Sequence, residues 1–252
     1  MQARVGAVAT VGLVALGLTA CAAPDDESED QTLTVLAAAS LTDVFTEIAA
    51  DFEETHPHVH VQLSFAGSST LAQQVLEGAP ADVIATANEA TMALVADELD
   101  IEPHVFATNV LTIVVAEGNP AGIDELSDLT DDDTRLVICA PQVPCGAATA
   151  LVAEAAGVEL SPVSEEANVT DVLGKVASGE ADAGIVYVTD IARAEGVEAV
   201  ALPDAEAGVN LYPIAALPDG SGAEEVTADA FVAAVLSDAS EQTLAAAGFG
   251  TP

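Results

Sequence analysis

Two stretches place a serine between an apolar run of small residues and an amphipathic segment: LAAAS-LTDVF, with Ser40, and FAGSS-TLAQQV, with Ser68 and Ser69. A serine at a helix start sets its hydroxyl beside first-turn N–H groups that have no intrahelical acceptor, where the helix dipole adds partial positive charge. Such a serine can cap its own helix. Alternatively, hydroxyl and N–H groups together can hold an anion without any cation. A nucleophilic serine is the third use, and it needs a histidine base within reach. The four histidines, His56, His58, His60 and His104, include none in a stretch resembling a triad partner. GxSxG, GxGxxG and a glycine-rich phosphate loop are all missing, so a binding protein is expected rather than an enzyme.

Charge narrows the ligand. The 252 residues carry 42 Asp and Glu against 4 Lys and Arg, a formal net charge of −38. Such a chain repels phosphate backbones and has no basic patch for anionic lipid, which excludes general nucleic-acid binding. A solvated acidic surface accounts for the charge. With Arg4 at the extreme N-terminus, the remaining cations are Arg135, Lys175 and Arg193, none beside Ser40 or Ser68 in sequence. A dianion can be held by Arg and Lys or by oriented neutral donors in a dry cleft, and this chain is left with the second option. A ring of donors offers nothing to an anion's own proton, so a fully ionised oxyanion is favoured over hydrogen phosphate.

Residues 1–20 hold one basic residue, Arg4, and then an uncharged, largely apolar run from Val5 to Ala20, shorter than a bilayer-spanning helix and built like a secretory signal peptide. The run ends in Leu18-Thr19-Ala20-Cys21, a bacterial lipobox pattern. Export and a lipid anchor on Cys21 at the outer face of the cell membrane follow as expectations, with the acidic stretch 21–32 as a tether. In an exported chain the remaining pair, Cys139 and Cys145 in ICAPQVPCG, reads as a disulfide across one loop. His56, His58 and His60 alternate along one stretch and could bind a metal, but an exposed strand edge is the favoured reading, and no free metal site is expected. Asp131–Asp133 reads as a solvated turn, and the sequon at Asn168-Val169-Thr170 as unmodified.

The elements that must position these groups alternate in type. Strands are expected at 33–39, 58–65, 81–87, 109–118, 135–140, 184–188 and 197–203. Helices are expected at about 41–54, 69–77, 89–98, 150–157, 171–178 and 228–237. In the first helix Leu41, Val44, Phe45, Ile48, Ala49 and Phe52 recur at helical spacing opposite acidic residues. Buried strands alternating with helices predict an α/β fold with parallel sheets. Tyr212, in NLYPIAAL, reads as lobe packing or hinge.

AAASLTDVFTEIAADF, FAGSSTLAQQVLEGAPADVIATAN, VPCG and ADAGIVYVTD occur in the order seen in the molybdate-binding proteins of bacterial ABC transporters, which the chain resembles from about Leu33 to the C-terminal AAGFG. The resemblance implies a two-lobed periplasmic-binding-protein type II fold, each lobe a mostly parallel sheet flanked by helices, with ligand in the cleft. It implies lobe one over 33–108 and 212–252 and lobe two over 109–211. It also implies that molybdate, and tungstate with it, is held by neutral groups: hydroxyl and backbone N–H of Ser40 and Ser68, backbone N–H of Cys145 and Val169, and the phenol of Tyr187. The chain departs from the family pattern at Cys145, where alanine is usual, and in the loop before it, one residue shorter. No cofactor is implied; the implied partners are the permease subunits, and the chain is expected to be a monomer. Another tetrahedral oxyanion such as sulfate, an organic solute and an exported serine hydrolase remain the alternatives.

Whatever dianion enters such a site must approach a strongly acidic protein. Salt screens that repulsion over a Debye length of about 8 Å at physiological ionic strength. Stopped-flow association rates are therefore expected to rise with ionic strength; rates that fall with salt contradict this.

Overall fold

A computed structural model describes residues 30–218, 220 and 225–252, together with residue 2. The expected lipidation site Cys21, and the signal and tether apart from residues 2 and 30–32, lie outside the described residues.

Among the described residues, ten strands and eight helices follow in the order β1 (Gln31–Ala38), α1 (Thr42–Thr55), β2 (Val59–Ala66), α2 (Ser68–Leu76), β3 (Val83–Ala85), α3 (Glu89–Leu99), β4 (His104–Asn109), β5 (Leu111–Ala116), β6 (Leu136–Cys139), α4 (Pro144–Ala156), β7 (Ser164–Glu166), α5 (Val169–Ala177), β8 (Ala183–Tyr187), α6 (Val188–Ile191), β9 (Val197–Val200), β10 (Asn210–Ala216), α7 (Glu225–Val235) and α8 (Asp238–Ala246). They form two five-stranded sheets, β2-β1-β3-β10-β4 and β7-β6-β8-β5-β9. The two-lobed α/β reading stands: each sheet is mostly parallel, four of its five strands running one way, and is made mixed by a single reversed strand, β10 in one and β5 in the other. In the first, β1 pairs parallel with β2 and β3, while β10 runs antiparallel to β3 and β4. In the second, β6 pairs parallel with β7 and β8, and β5 runs antiparallel to β8 and β9. The cause is the route of the chain. Parallel neighbours need a crossover connection, usually a helix, and the strands that carry the chain between sheets, β4 into β5 and β9 into β10, have none of length between them.

The strand expected over 109–118 is β5, and its first expected residue, Asn109, belongs instead to β4. β4 ends at Asn109 in one sheet, and β5 starts at Leu111 in the other. Strands β4, β7 and β10 and helices α6 and α8 were not anticipated. Pro213 within NLYPIAAL disguises β10, and the structure accommodates it at a register shift between Tyr212 and Pro213.

Helix α1 buries Val44, Phe45, Ile48, Ala49 and Phe52, the stripe that the spacing predicts. Its aromatic rings start a cluster that runs to the centre of the molecule. Phe45 packs on Phe106 (5.7 Å between centroids) and Phe231 (6.3 Å), Phe106 meets Tyr212 edge-on (6.3 Å), and Phe249 packs on Tyr212 from another side (5.5 Å). Tyr212, 0% exposed, is thus fixed on several sides by apolar edges, while its hydroxyl is left to find a polar partner. No helix among the described residues is long and apolar enough to cross a membrane.

Candidate functional site

Four helical N-termini converge between the two sheets. The turn Ala39–Leu41 leads into α1, Ser68 opens α2, Pro144 and Cys145 open α4, and Val169 opens α5. At the first three, no side chain caps the helix. At α5, Asn168 accepts only from Asp171 N–H, two residues beyond Val169. First-turn N–H groups, which have no acceptor within their own helix, thus face one place from both lobes.

That place is a cavity lined by Ser40, Ser68, Cys145, Val169 and Tyr187 together with Ala, Gly, Val, Pro and Asn168. No charged side chain is in the lining. Its volume is about 20 Å³, far below the roughly 300–1,000 Å³ of organic-ligand clefts. That is a little above what a single water needs. The cavity suits one small ion and leaves no room for an organic solute.

Each hydroxyl is held from behind. Ser68, 2% exposed, does not cap its helix; its Oγ accepts from the Ala87 N–H at 2.9 Å. Ser40 Oγ lies 2.9 Å from the Tyr212 hydroxyl. Tyr187 Oη accepts from Asn210 Nδ2 at 2.7 Å. Tyr212 and the two buried asparagines, Asn109 and Asn210, are the participants that sequence reasoning missed, and only the tyrosine carried a signal, as a lone aromatic hydroxyl in an apolar stretch.

Backbone position is secured by a buried ion pair. Asp190, 0% exposed, accepts from the Tyr187 N–H (2.9 Å) and pairs with Arg193 (2.8 Å), which also donates to Thr170 Oγ1 (3.0 Å) beside Val169. Burial pushes the Asp190 carboxyl up, against the pull of Arg193 and the Tyr187 N–H. Across the cavity, Cys139 and Cys145 are joined by a disulfide with Cα atoms 5.7 Å apart, linking β6 to the first turn of α4. His60 contacts Glu53, and His58 lies 3.6 Å from Asp30; no group of three or more metal-ligating residues occurs among the described residues.

The lobes touch around the cavity. Ser69 Oγ donates to the Gln142 carbonyl at 2.9 Å. A side chain at Gly67 would place Cβ 2.1 Å from the Ala167 carbonyl oxygen, so only glycine allows this approach.

The profile of the family described as bacterial extracellular solute-binding protein matches residues 33–250. The chain belongs to that family. It is 44% identical to the molybdate-binding protein ModA of Mycobacterium tuberculosis H37Rv over 98% of this chain and 96% of that one. It is 34% identical to ModA of Escherichia coli K12 over 81% of this chain and 83% of that one. Among solved structures, the Azotobacter vinelandii periplasmic molybdate-binding protein shares the fold with a TM-score of 0.72 at 21% identity, covering 87% of this chain and 99% of that one. The family binds solutes and does not transform them, so the protein is not an enzyme and the hydrolase alternative falls. The loss of catalytic meaning for Ser40 and Ser68 agrees with their hydroxyls, which meet a phenol and a backbone amide rather than a histidine.

Tyr187 and Tyr212 are the protein's two tyrosines. Burial, foremost, lifts both phenols above their ordinary value near 10. A group raised on folding contributes its full stability below the unfolded pKa and loses it as pH climbs from there toward the folded one. Urea midpoints are therefore expected to show no phenol-dependent loss up to about pH 10 and a decline above it. Tyr187→Phe and Tyr212→Phe should each shrink that decline; an unchanged alkaline slope in both variants contradicts this.

Proposed function

We propose that this protein captures molybdate, and tungstate with it, as the free dianion outside the cytoplasm, and hands it to the membrane permease of an ABC transporter. The observation that carries the reading is the cavity: helix N-termini and hydroxyls from both lobes meet around space for one small ion, with no charged side chain in the lining. The names of the relatives, ModA at 44% and 34% identity, support the choice of ion. In this reading the ligand is held by Ser40 and Ser68 through hydroxyl and N–H, by Cys145 and Val169 through N–H, and by Tyr187 through its phenol.

Oriented donors answer a dianion without a countercharge because they are fixed before it arrives and need no reorganisation. The two lobes, between which the chain passes at Asn109–Leu111 and again before Asn210, close on the ion as rigid bodies, and the closed form is what the permease recognises. A lipid on Cys21 keeps the monomer at the outer face of the membrane, and no cofactor takes part. Sulfate would meet the same donors, so discrimination between the two ions rests on cavity size.

Calorimetry on the domain from residue 30 onward tests this with molybdate, tungstate, sulfate and phosphate. Tight binding of the first two and weak binding of the others is expected, with loss of about tenfold or more in Ser40→Ala and in Ser68→Ala. No heat with any oxyanion would discard the ligand. A separate variant, Gly67→Ala, leaves every donor in place but wedges the lobes against the Ala167 carbonyl. Its molybdate affinity is expected to fall about tenfold or more with the unfolding midpoint little changed; undiminished affinity would contradict closure at this contact.

A further inference from the structure

Asn109 and Asn210 are register partners on the adjacent strands β4 and β10, at the rung where the chain passes between sheets. They are 3% and 5% exposed, and neither lines the cavity. A buried amide is costly unless its groups are bonded, so the partners it has are informative. The Asn210 amide nitrogen lies 2.6 Å from the Ala87 carbonyl oxygen and 2.7 Å from the Tyr187 hydroxyl. A carbonyl oxygen only accepts, which fixes the nitrogen end of the amide there, and the second N–H then donates to Tyr187. The Tyr187 proton is thereby turned away from Asn210.

Asn109 is oriented by the same logic. Its oxygen accepts from the Val110 N–H at 3.0 Å, so its nitrogen faces Thr189 Oγ1 at 2.9 Å and the Tyr212 hydroxyl at 3.5 Å. Either hydroxyl of the Tyr212–Ser40 pair, 2.9 Å apart, can donate; the N–H that Asn109 turns toward the Tyr212 oxygen favours Tyr212 as the donor, which leaves the Ser40 proton for the cavity.

Resting on the oxyanion-carrier reading, we propose that Asn210 and Tyr212 are positioning residues that set the proton direction of the site, holding Tyr187 and Ser40 as donors and so excluding an anion that must donate a proton of its own, such as hydrogen phosphate. An unattended hydroxyl can rotate and accept, and a site of such hydroxyls would admit hydrogen phosphate by turning one of them. Here each hydroxyl oxygen is fed by a group behind it, and the series begins on amide N–H groups that cannot reverse. A protonated oxyanion entering this cavity would set its O–H against another donor, and an unsatisfied buried hydrogen bond costs roughly tenfold or more in affinity.

The test is calorimetry with molybdate and with phosphate on the parent and on two variants. In Asn210→Asp the introduced carboxyl, buried between a carbonyl and a phenol, stays protonated; its O–H serves Ala87 and its other oxygen takes the Tyr187 proton, so Tyr187 now presents lone pairs. Molybdate affinity should fall roughly tenfold or more while phosphate affinity holds or rises, and the molybdate-to-phosphate ratio should fall accordingly. Added to Tyr187→Phe, the same substitution should have no further effect on the ratio. Tyr212→Phe keeps the aromatic packing and removes only the hydroxyl behind Ser40, so it carries the test even where Asn210→Asp folds poorly. It should lower the ratio in the parent and leave it unchanged on top of Ser40→Ala. Equal losses for both anions, or losses that persist in the Tyr187→Phe and Ser40→Ala backgrounds, would make these residues mere packing and overturn the proposal. A parent that binds molybdate with variants of unchanged ratio overturns this inference alone; a parent that binds no oxyanion overturns the functional reading and this inference together.

Discussion

A dianion withdrawn from water must have its charge answered, and this protein has almost no cations to answer it with. That scarcity shapes the rest. All three Lys and Arg of the described residues are already paired: Arg135 with Asp182, Lys175 with Glu166 and Arg193 with Asp190. The charge must be met by dipoles, and dipoles of the backbone are strongest where a helix begins with its N–H groups unpaired. One such terminus is a weak attractor. Four aimed at the same 20 Å³ from both sides of a cleft are a designed arrangement, and both sheets are needed to aim them.

The topology follows from that need. For each sheet to present helix starts at a shared edge, strands must end there, as β1, β2, β6 and β7 do, with a helical turn or helix beginning within a few residues of each end. The chain must also belong to both lobes without tangling them, so it crosses at Asn109–Leu111 and again before Asn210. These crossings bring β5 and β10 in without a helical crossover, and the sheets become mixed. The same crossing places two amides in register at the middle of the molecule, where each reaches groups on both sides: Asn210 to Ala87 and Tyr187, Asn109 to Tyr212 and Thr189.

What could be read from the sequence was whatever is periodic or local. The apolar stripe of α1, the two strand–Ser–helix designs and the cysteine pair each announce themselves within a dozen residues. Strands β4 and β10 did not, because they are recruited by pairing across the molecule, and β10 carries a proline that argues against a strand until the register shift is seen. Asn109 and Asn210 were equally invisible. Asn109 opens an expected strand and Asn210 stands between apolar residues, and nothing local says that both will be buried, or that the Asn210 amide will be fixed by a carbonyl 123 residues away. Tyr212 could be seen to be buried but not what its hydroxyl would touch, since Ser40 lies 172 residues earlier.

The nearest threat to an anion site is a carboxylate, and one sits close by. Asp190 is fully buried one turn beyond Tyr187, near enough that its charge helps to raise both phenols. Left alone it would oppose any dianion through a low-dielectric medium, where unscreened repulsion is large. Removing it would free the Tyr187 N–H that it accepts and loosen the turn on which the phenol is carried. Arg193 resolves the conflict by pairing with Asp190 and donating to Thr170, beside the first N–H of α5. Arg193, tied to the cavity's backbone, thus contributes no net charge to it. Its guanidinium cancels a carboxylate and ties the Tyr187 turn to the start of α5, and the attraction of ligand is left to groups that carry no charge at all.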